Sequence, residues 1–526
     1  MKNIFNKISY AFIALAMVSC HSDLDQSPID PDSFTEEDVY ANADEAKSAL
    51  AKLYAGFAVT GQQGPAGNPD LDPNDIDEGF SQFTRTLFYL NELTTDHAVL
   101  GWGDAGVADM HGMYWTGSND FTNAMYNRLG QEVSFCNSFI ENAGQLTDEE
   151  VQTFIAEARF LRAYAYYNLM DLYGNVPIQV TVATTLPSQN TREEVFNFVE
   201  AELLEVKDLL PASGANEYGR VDRVAAWALL SRLYLNAEVY VGQNRYNDCI
   251  TYCNEVMNSS YSLNMSDGNG NGTAYDELFL ADNDSNGAQN EFIFALNFDG
   301  VQTQTYGGTT FLVHAQIGGS MVPADYGVDS GWAGLRTTSS LVNQFEDGDM
   351  RAMFYTDGQS LEIEEIAQFS NGYAVTKFKN IDTNGNPGVG SGQDLRTDND
   401  LPLIRLAEIY LTYAEATLRG GNGDMSTAVQ KINEIRSRAF GGNTGNITSS
   451  NLTLDFVLNE RSRELYWELL RRTDLIRYNQ FTTGSYLWPW KGDQPNGISV
   501  DSYRNLFPIP NNNLATNPNL TQNPGY

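Results

Sequence analysis

The chain has 526 residues, enough for a large core or for several domains. Its formal net charge is −37, from 68 acids against 31 bases, so its surface repels nucleic acid, sulfated polysaccharides and other polyanions without obstructing a neutral ligand. Four cysteines and four histidines leave little for a disulfide framework or a zinc site.

Residues 1–19 carry Lys2 and Lys7, then the apolar run Ile8 to Val18, then Ser19 before Cys20. The run is too short to cross a bilayer and reads as a secretory signal. A small residue followed by cysteine resembles a bacterial lipobox, with Met17 in place of the more usual leucine. The expected mature N-terminus is a lipidated Cys20, anchored by its acyl chains without a transmembrane helix. Residues 20–34, acidic and punctuated by Pro28 and Pro31, read as a tether. The rest, 35–526, is expected to form a single domain.

That domain should be mostly α. The stretch 154–178 reads as one long helix, apolar nearly all round, with Gly174 as its stop and Pro177 forbidding continuation. Its Arg159 and Arg162 need carboxylate partners, for which a later helix offers candidates. Phe160, Ala163, Tyr164 and Tyr167 follow the spacing of the first helix of a tetratricopeptide pair. The partner helix is placed at about 192–210. Trp227, Leu230, Ser231 and Tyr234 repeat the first-helix spacing, as do Leu406, Ile409, Tyr410 and Tyr413. Cys249 with Cys253, and Ala428 with Ile432 and Ile435, take second-helix places, the cysteines as small core residues. A fourth pair draws on 119–143 or on the early helix near 43–58. The segment 456–478 closes the scaffold. On it Glu460, Glu464 and Glu468 share a face that arginines must neutralise, in cis or from Arg159 and Arg162. A paired-carboxylate glycosidase is the rival reading, but arginines depress a carboxyl pKa and a catalytic acid needs the opposite shift.

Helix pairs leave long inserts at about 60–118 and 262–400, rich in Gly, Asn, Asp and Thr and suited to turns and short strands. Loops on a rigid scaffold are where binding usually resides. Trp102 and Trp332 each sit between glycines, and Tyr306 precedes Gly307-Gly308. Rings so framed are expected to face solvent and to offer apolar faces to a sugar. Asp282, Asp284, Asn286 and Glu291 form an oxygen-rich run around Gly287 that suits a hard cation, or else is an acidic turn.

Three stretches resemble signatures of the SusD/RagB family, surface glycan-binding lipoproteins of Bacteroidetes. They are the helix at 154–178, the pair Arg405–Leu411 and Glu460–Arg477, and the tail from Phe507-Pro508-Ile509-Pro510 to Asn523-Pro524-Gly525-Tyr526. The segments Thr60–Gly64, Asn68–Asp72, Arg85–Phe88 and Asn91–Asp96, with Tyr306–Thr309 and Gly331-Trp332, resemble the starch-binding members in particular. The resemblance implies a cell-surface, outer-membrane lipoprotein that binds starch or malto-oligosaccharides without catalysis. It implies an aromatic arc of Trp102, Tyr306 and Trp332, with Arg85 and Asp77 (or Glu78) bonding the sugar. It also implies structural Ca²⁺ at the acidic run, and delivery to a SusC-like TonB-dependent transporter. Other surface lipoproteins and an amylase are further partners it allows. A sugar-binding asparagine of those members has no match; Gly103-Asp104-Ala105-Gly106 stands there. Another neutral glycan, a surface glycoside hydrolase or a purely structural helical adaptor are the alternatives.

Overall fold

The computed structural model describes residues 36–61, 70–71, 76, 78–390 and 394–526. The signal, the lipidation site Cys20, the tether and Asp77 lie outside the described residues, as does the side chain of Glu78.

The scaffold is helical. Its main members are α1 (Ala43–Ala58), α2 (Phe83–Asn91), α3 (Asp120–Ala143), α4 (Glu149–Tyr173), α5 (Arg192–Val206), α6 (Arg223–Leu235), α7 (Tyr246–Met257), α8 (Gly308–Ala315), α9 (Leu406–Leu418), α10 (Met425–Ala439), α11 (Leu454–Leu465) and α12 (Arg471–Arg477). Neighbours in sequence pack as neighbours in space: α3 on α4, α4 on α5, α5 on α6, α6 on α7, then α7 on α9 and α9 on α10 and α11. Both candidates for the fourth pair are present, since α1 packs on α3 and on α4. No helix among the described residues is long and apolar enough to cross a membrane.

Local chemistry sets the ends. Thr191 and Glu194 form a reciprocal capping box at α5, and Asn119, Asp222 and Asp424 cap α3, α6 and α10 with their side chains. Gly174 stops α4 at a φ of 73°, where a Cβ would be strained. From Phe160 to Tyr173 every α4 side chain is buried, so this helix is the axis of one contiguous core.

Two expectations about charge needed revision. Arg159 and Arg162 do not reach the late helices. They pair with Glu202, and Arg159 also with Glu205, on neighbouring α5. Nor is 456–478 one helix: the chain breaks after Leu465, with Trp467 and Leu469 at positive φ, before α12 begins. Glu468 therefore lies in the turn, off the helical face of Glu460 and Glu464. Arg463 supplies one of their cations in cis, and the rest come from other parts of the chain. Arg351, Arg436 and Arg463 meet Glu460; Arg351, Arg405 and Arg438 meet Glu464; Arg405 and Lys377 meet Glu468. Burial alone would raise the Glu464 carboxyl, but Arg438, Arg405 and Arg351 outweigh it and hold it below the usual range; Glu460 is held low the same way. No carboxyl of this group is poised as an acid.

Strands among the described residues pair only in twos, all antiparallel. Two pairs matter here. In one, β1 (Val99–Leu100) lies against β3 (Leu335–Arg336), with Val99 opposite Arg336 and Leu100 opposite Leu335. In the other, β2 (Phe292–Leu296) lies against β4 (Leu401–Arg405), which runs into α9.

Candidate functional site

The β1–β3 pair joins two inserts more than 200 residues apart and sets the loops that leave it side by side. The Gly101 amide donates to Gly334 O at 3.1 Å. The amides of Trp332, Ala333 and Gly334 then donate, each at 2.8 Å, to His314, Ile317 and Ala315 carbonyls at the end of α8. Those bonds satisfy carbonyls that a helix end would otherwise leave open. Tyr306 precedes the start of the same short helix. So α8 carries Tyr306 at one end and seats Trp332 at the other.

The three aromatic residues expected at the site meet. Trp102 and Trp332 have ring centroids 6.2 Å apart with planes at 52°, and Tyr306 and Trp332 are 6.2 Å apart at 51°. All three are partly buried, so the rings form a bent row with Trp332 in the middle. The glycines act differently from the expectation that they merely uncover the rings. A Cβ on Gly334 would lie 2.4 Å from the Trp102 indole, so this glycine lets the indole rest against the neighbouring backbone. There its Nε1 donates to Trp332 O at 3.0 Å.

Arg85, on α2, sits beneath the row. Its guanidinium lies 5.5 Å from the Trp102 ring and 4.2 Å from Phe80, and Nη1 donates to Tyr306 O at 3.0 Å and Gly79 O at 2.7 Å. It is 5 % exposed, and among the described residues only Nη2 is left without an acceptor. Arg85 is thus mainly a brace that ties Trp102 to Tyr306, with one N–H pair for a ligand.

Spacing did not reveal the other supports. His314 stacks on Trp332 at 4.8 Å and 20°, which covers one indole face. Asp394 Oδ1 lies 3.4 Å from the Trp332 Nε1 donor and accepts from Ser330 Oγ at 2.6 Å. Arg396 lies over the Tyr306 ring at 4.2 Å and donates to Asp394 O at 3.0 Å. Residues 394–396 reach the row from some 60 positions beyond Trp332, a distance no local pattern encodes. Asp104, in the place of the missing asparagine, is exposed beside the row.

The expected cation set does not assemble. Glu291 is buried between Arg405, 2.9 Å away, and Arg438, 2.5 Å away, and its carboxylate is spent on them. It leaves the set. Asp282 accepts from Thr383 Oγ1 at 2.8 Å and from Asn286 Nδ2 at 3.2 Å. Asp284 instead shares its field with two residues over 100 positions further along the chain. Burial first, then neighbouring carboxylates including Asp284, push Asp398 up to about 6 and Asp400 up to about 7.

Comparisons with known proteins agree with this architecture. A family model described as the SusD family matches residues 355–526, and one described as starch-binding, associating with the outer membrane, matches 77–235. The starch-binding protein SusD of Bacteroides thetaiotaomicron is 35% identical over the whole of this chain and 99% of its own length. A SusD-like protein of Formosa agariphila is 24% identical over 99% of both chains. Among solved structures, a SusD superfamily protein from Parabacteroides distasonis superposes with a TM-score of 0.69 at 22% identity, covering 94% of this chain and all of that one. Surface glycan-binding protein A from Bacteroides thetaiotaomicron, in complex with laminarihexaose, gives 0.67 at 21%, covering 91% and 99%.

Proposed function

The chain belongs to the SusD family, and on that premise we propose that it binds α-1,4-glucan, as starch or malto-oligosaccharide, on the bent row of Trp102, Trp332 and Tyr306. One observation carries the reading: three rings from three separate loops converge, each tilted by about 50° to the next. A bent row follows a naturally curved α-glucan and meets a flat β-1,4 chain poorly. Ring faces take the apolar side of each pyranose, and the open nitrogen of Arg85 bonds hydroxyls, with Asp77 as its acidic companion.

The rest of the reading follows the family. The protein is a binder, not an enzyme. A lipid on Cys20 holds it at the cell surface on the outer membrane, and it passes its sugar to a SusC-like TonB-dependent transporter. For the structural Ca²⁺ we propose Asp282, Asp284 and Asn286, with Glu291 outside the set.

A second reading, another neutral glycan on the same row, is favoured by Gly103-Asp104, where an asparagine is missing. A binding panel of maltoheptaose, laminarihexaose and cellohexaose separates them. Selective binding of maltoheptaose supports the α-glucan; selective binding of laminarihexaose replaces it.

A further inference from the structure

His314 is fully buried on α8, and both of its ring nitrogens face backbone carbonyl oxygens. Nδ1 is 3.0 Å from Ser330 O and Nε2 is 2.8 Å from Leu395 O. A neutral imidazole has one N–H and so meets only one of these acceptors; the other nitrogen would turn its lone pair on a carbonyl. Ser330 Oγ, 3.2 Å from Nδ1, is drawn instead to Asp394 at 2.6 Å. The imidazolium satisfies both carbonyls at once.

Among the described residues, two carboxylates act on the ring. A carboxylate oxygen of Asp329 and one of Asp394 lie within 4.8 Å of a ring nitrogen and favour the cation. Arg396, beyond Asp394, opposes it. The two carbonyls belong to separate segments of the second insert: Ser330 to the loop that bears Trp332, and Leu395 to the segment that supports Tyr306 through Arg396. The ring's face is given to Trp332, where an imidazolium also gains cation–π attraction.

We propose that His314 is a positioning residue for the glycan site: its protonated ring clamps the 330–334 loop to the 394–396 segment, fixes Trp332 in the row, and makes sugar binding tighter as pH falls. The inference rests on the row being the glycan site. Burial lowers the His314 pKa below its ordinary value, against the carbonyls and the two carboxylates, so the proton is taken up on the acid side of neutrality. Affinity should fall as pH rises through that value.

The test is maltoheptaose affinity from pH 5 to 8 for the wild type and His314→Gln, beside tryptophan fluorescence without sugar. The proposal expects wild-type binding about threefold or more tighter at pH 5 than at pH 8, in the range of one cation–π contact, and a flat profile for His314→Gln. It also expects acid quenching of fluorescence in the wild type that both His314→Gln and Trp332→Phe lose. A pH profile unchanged by His314→Gln, or binding that tightens towards pH 8, overturns it. If His314→Gln does not fold, the Cε1–H resonance of His314 in the wild type decides: its pKa must rise when maltoheptaose is added. Absence of binding at every pH sinks the starch reading instead, and the fluorescence titration then judges the clamp alone.

Discussion

Two regions of this protein bring arginines and aromatic rings together, and they are built to opposite ends. Around Glu460, Glu464 and Glu468 the chain closes a dry network: Arg351, Arg405 and Arg438 are essentially unexposed, and their carboxylates come from α11, the following turn, Glu291 just before β2 and Asp349. Around Trp332 the rings stay partly open, and backbone carbonyls, glycines and single side chains hold them. In the first region cations meet anions and little is left over. In the second, Arg85 and Arg396 lie against rings and carbonyls, which fixes geometry while the rings stay partly exposed. Removing a piece of the first should cost stability; removing a piece of the second should cost binding.

The largest effect expected is on the closed network. Glu464→Gln strips the anion from between Arg351, Arg405 and Arg438 and should destabilise the fold by about 3–5 kcal/mol, read by denaturant unfolding. Sugar affinity of the protein that remains folded should hold. A neutral result there, or a loss of affinity without loss of stability, would erase the division.

Acid should reach the same network. Glu460 and Glu464 are held below the ordinary carboxylate range in the fold. Their contribution is present above the unfolded pKa of about 4.3 and is lost as pH falls through the lower folded values. Unfolding monitored by circular dichroism should therefore set in below about pH 4; a fold unchanged to pH 2 would contradict the assignment.

Next comes the row itself. Trp332→Ala removes the central ring and should weaken maltoheptaose binding by about 30-fold or more, roughly 2 kcal/mol, with a melting temperature close to the parent's. Arg85→Met should cost less affinity, about three- to tenfold, with some loss of order at Trp102 and Tyr306. If Arg85→Met matched Trp332→Ala, Arg85 would be a ligand first and a brace second.

The smallest effect belongs to the cation. Added Ca²⁺ should raise the melting temperature by a few degrees through preferential binding to the folded state. Asp284→Asn should lose that rise. A rise that survives Asp284→Asn would place the ion elsewhere.

Much of this was legible in the residues. The apolar circumference of 154–173, its glycine stop and the first-helix spacings marked the scaffold, because helix packing leaves a periodic trace. The three ring residues were named from their glycine settings, and the structure does bring them together. What the sequence withheld was long-range. Nothing near His314 marks it as the ring beneath Trp332, for its two carbonyl partners come from 16 and 81 residues away. Arg159 and Arg162 were free to pair with any acidic helix, and adjacency in the stack chose α5. Glu291 fitted a cation loop by spacing, but two arginines from 114 and 147 positions along the chain claim it.

Whether sugar binds on the bent row is open to direct measurement. Calorimetric titration of maltoheptaose into the wild type, Trp102→Ala and Trp332→Ala tests it most directly, with each protein's melting temperature measured alongside. Saturable binding by the wild type, lost in both variants while their melting temperatures hold, is the predicted result. Wild-type binding untouched by either substitution would put the sugar elsewhere on the molecule and contradict the account.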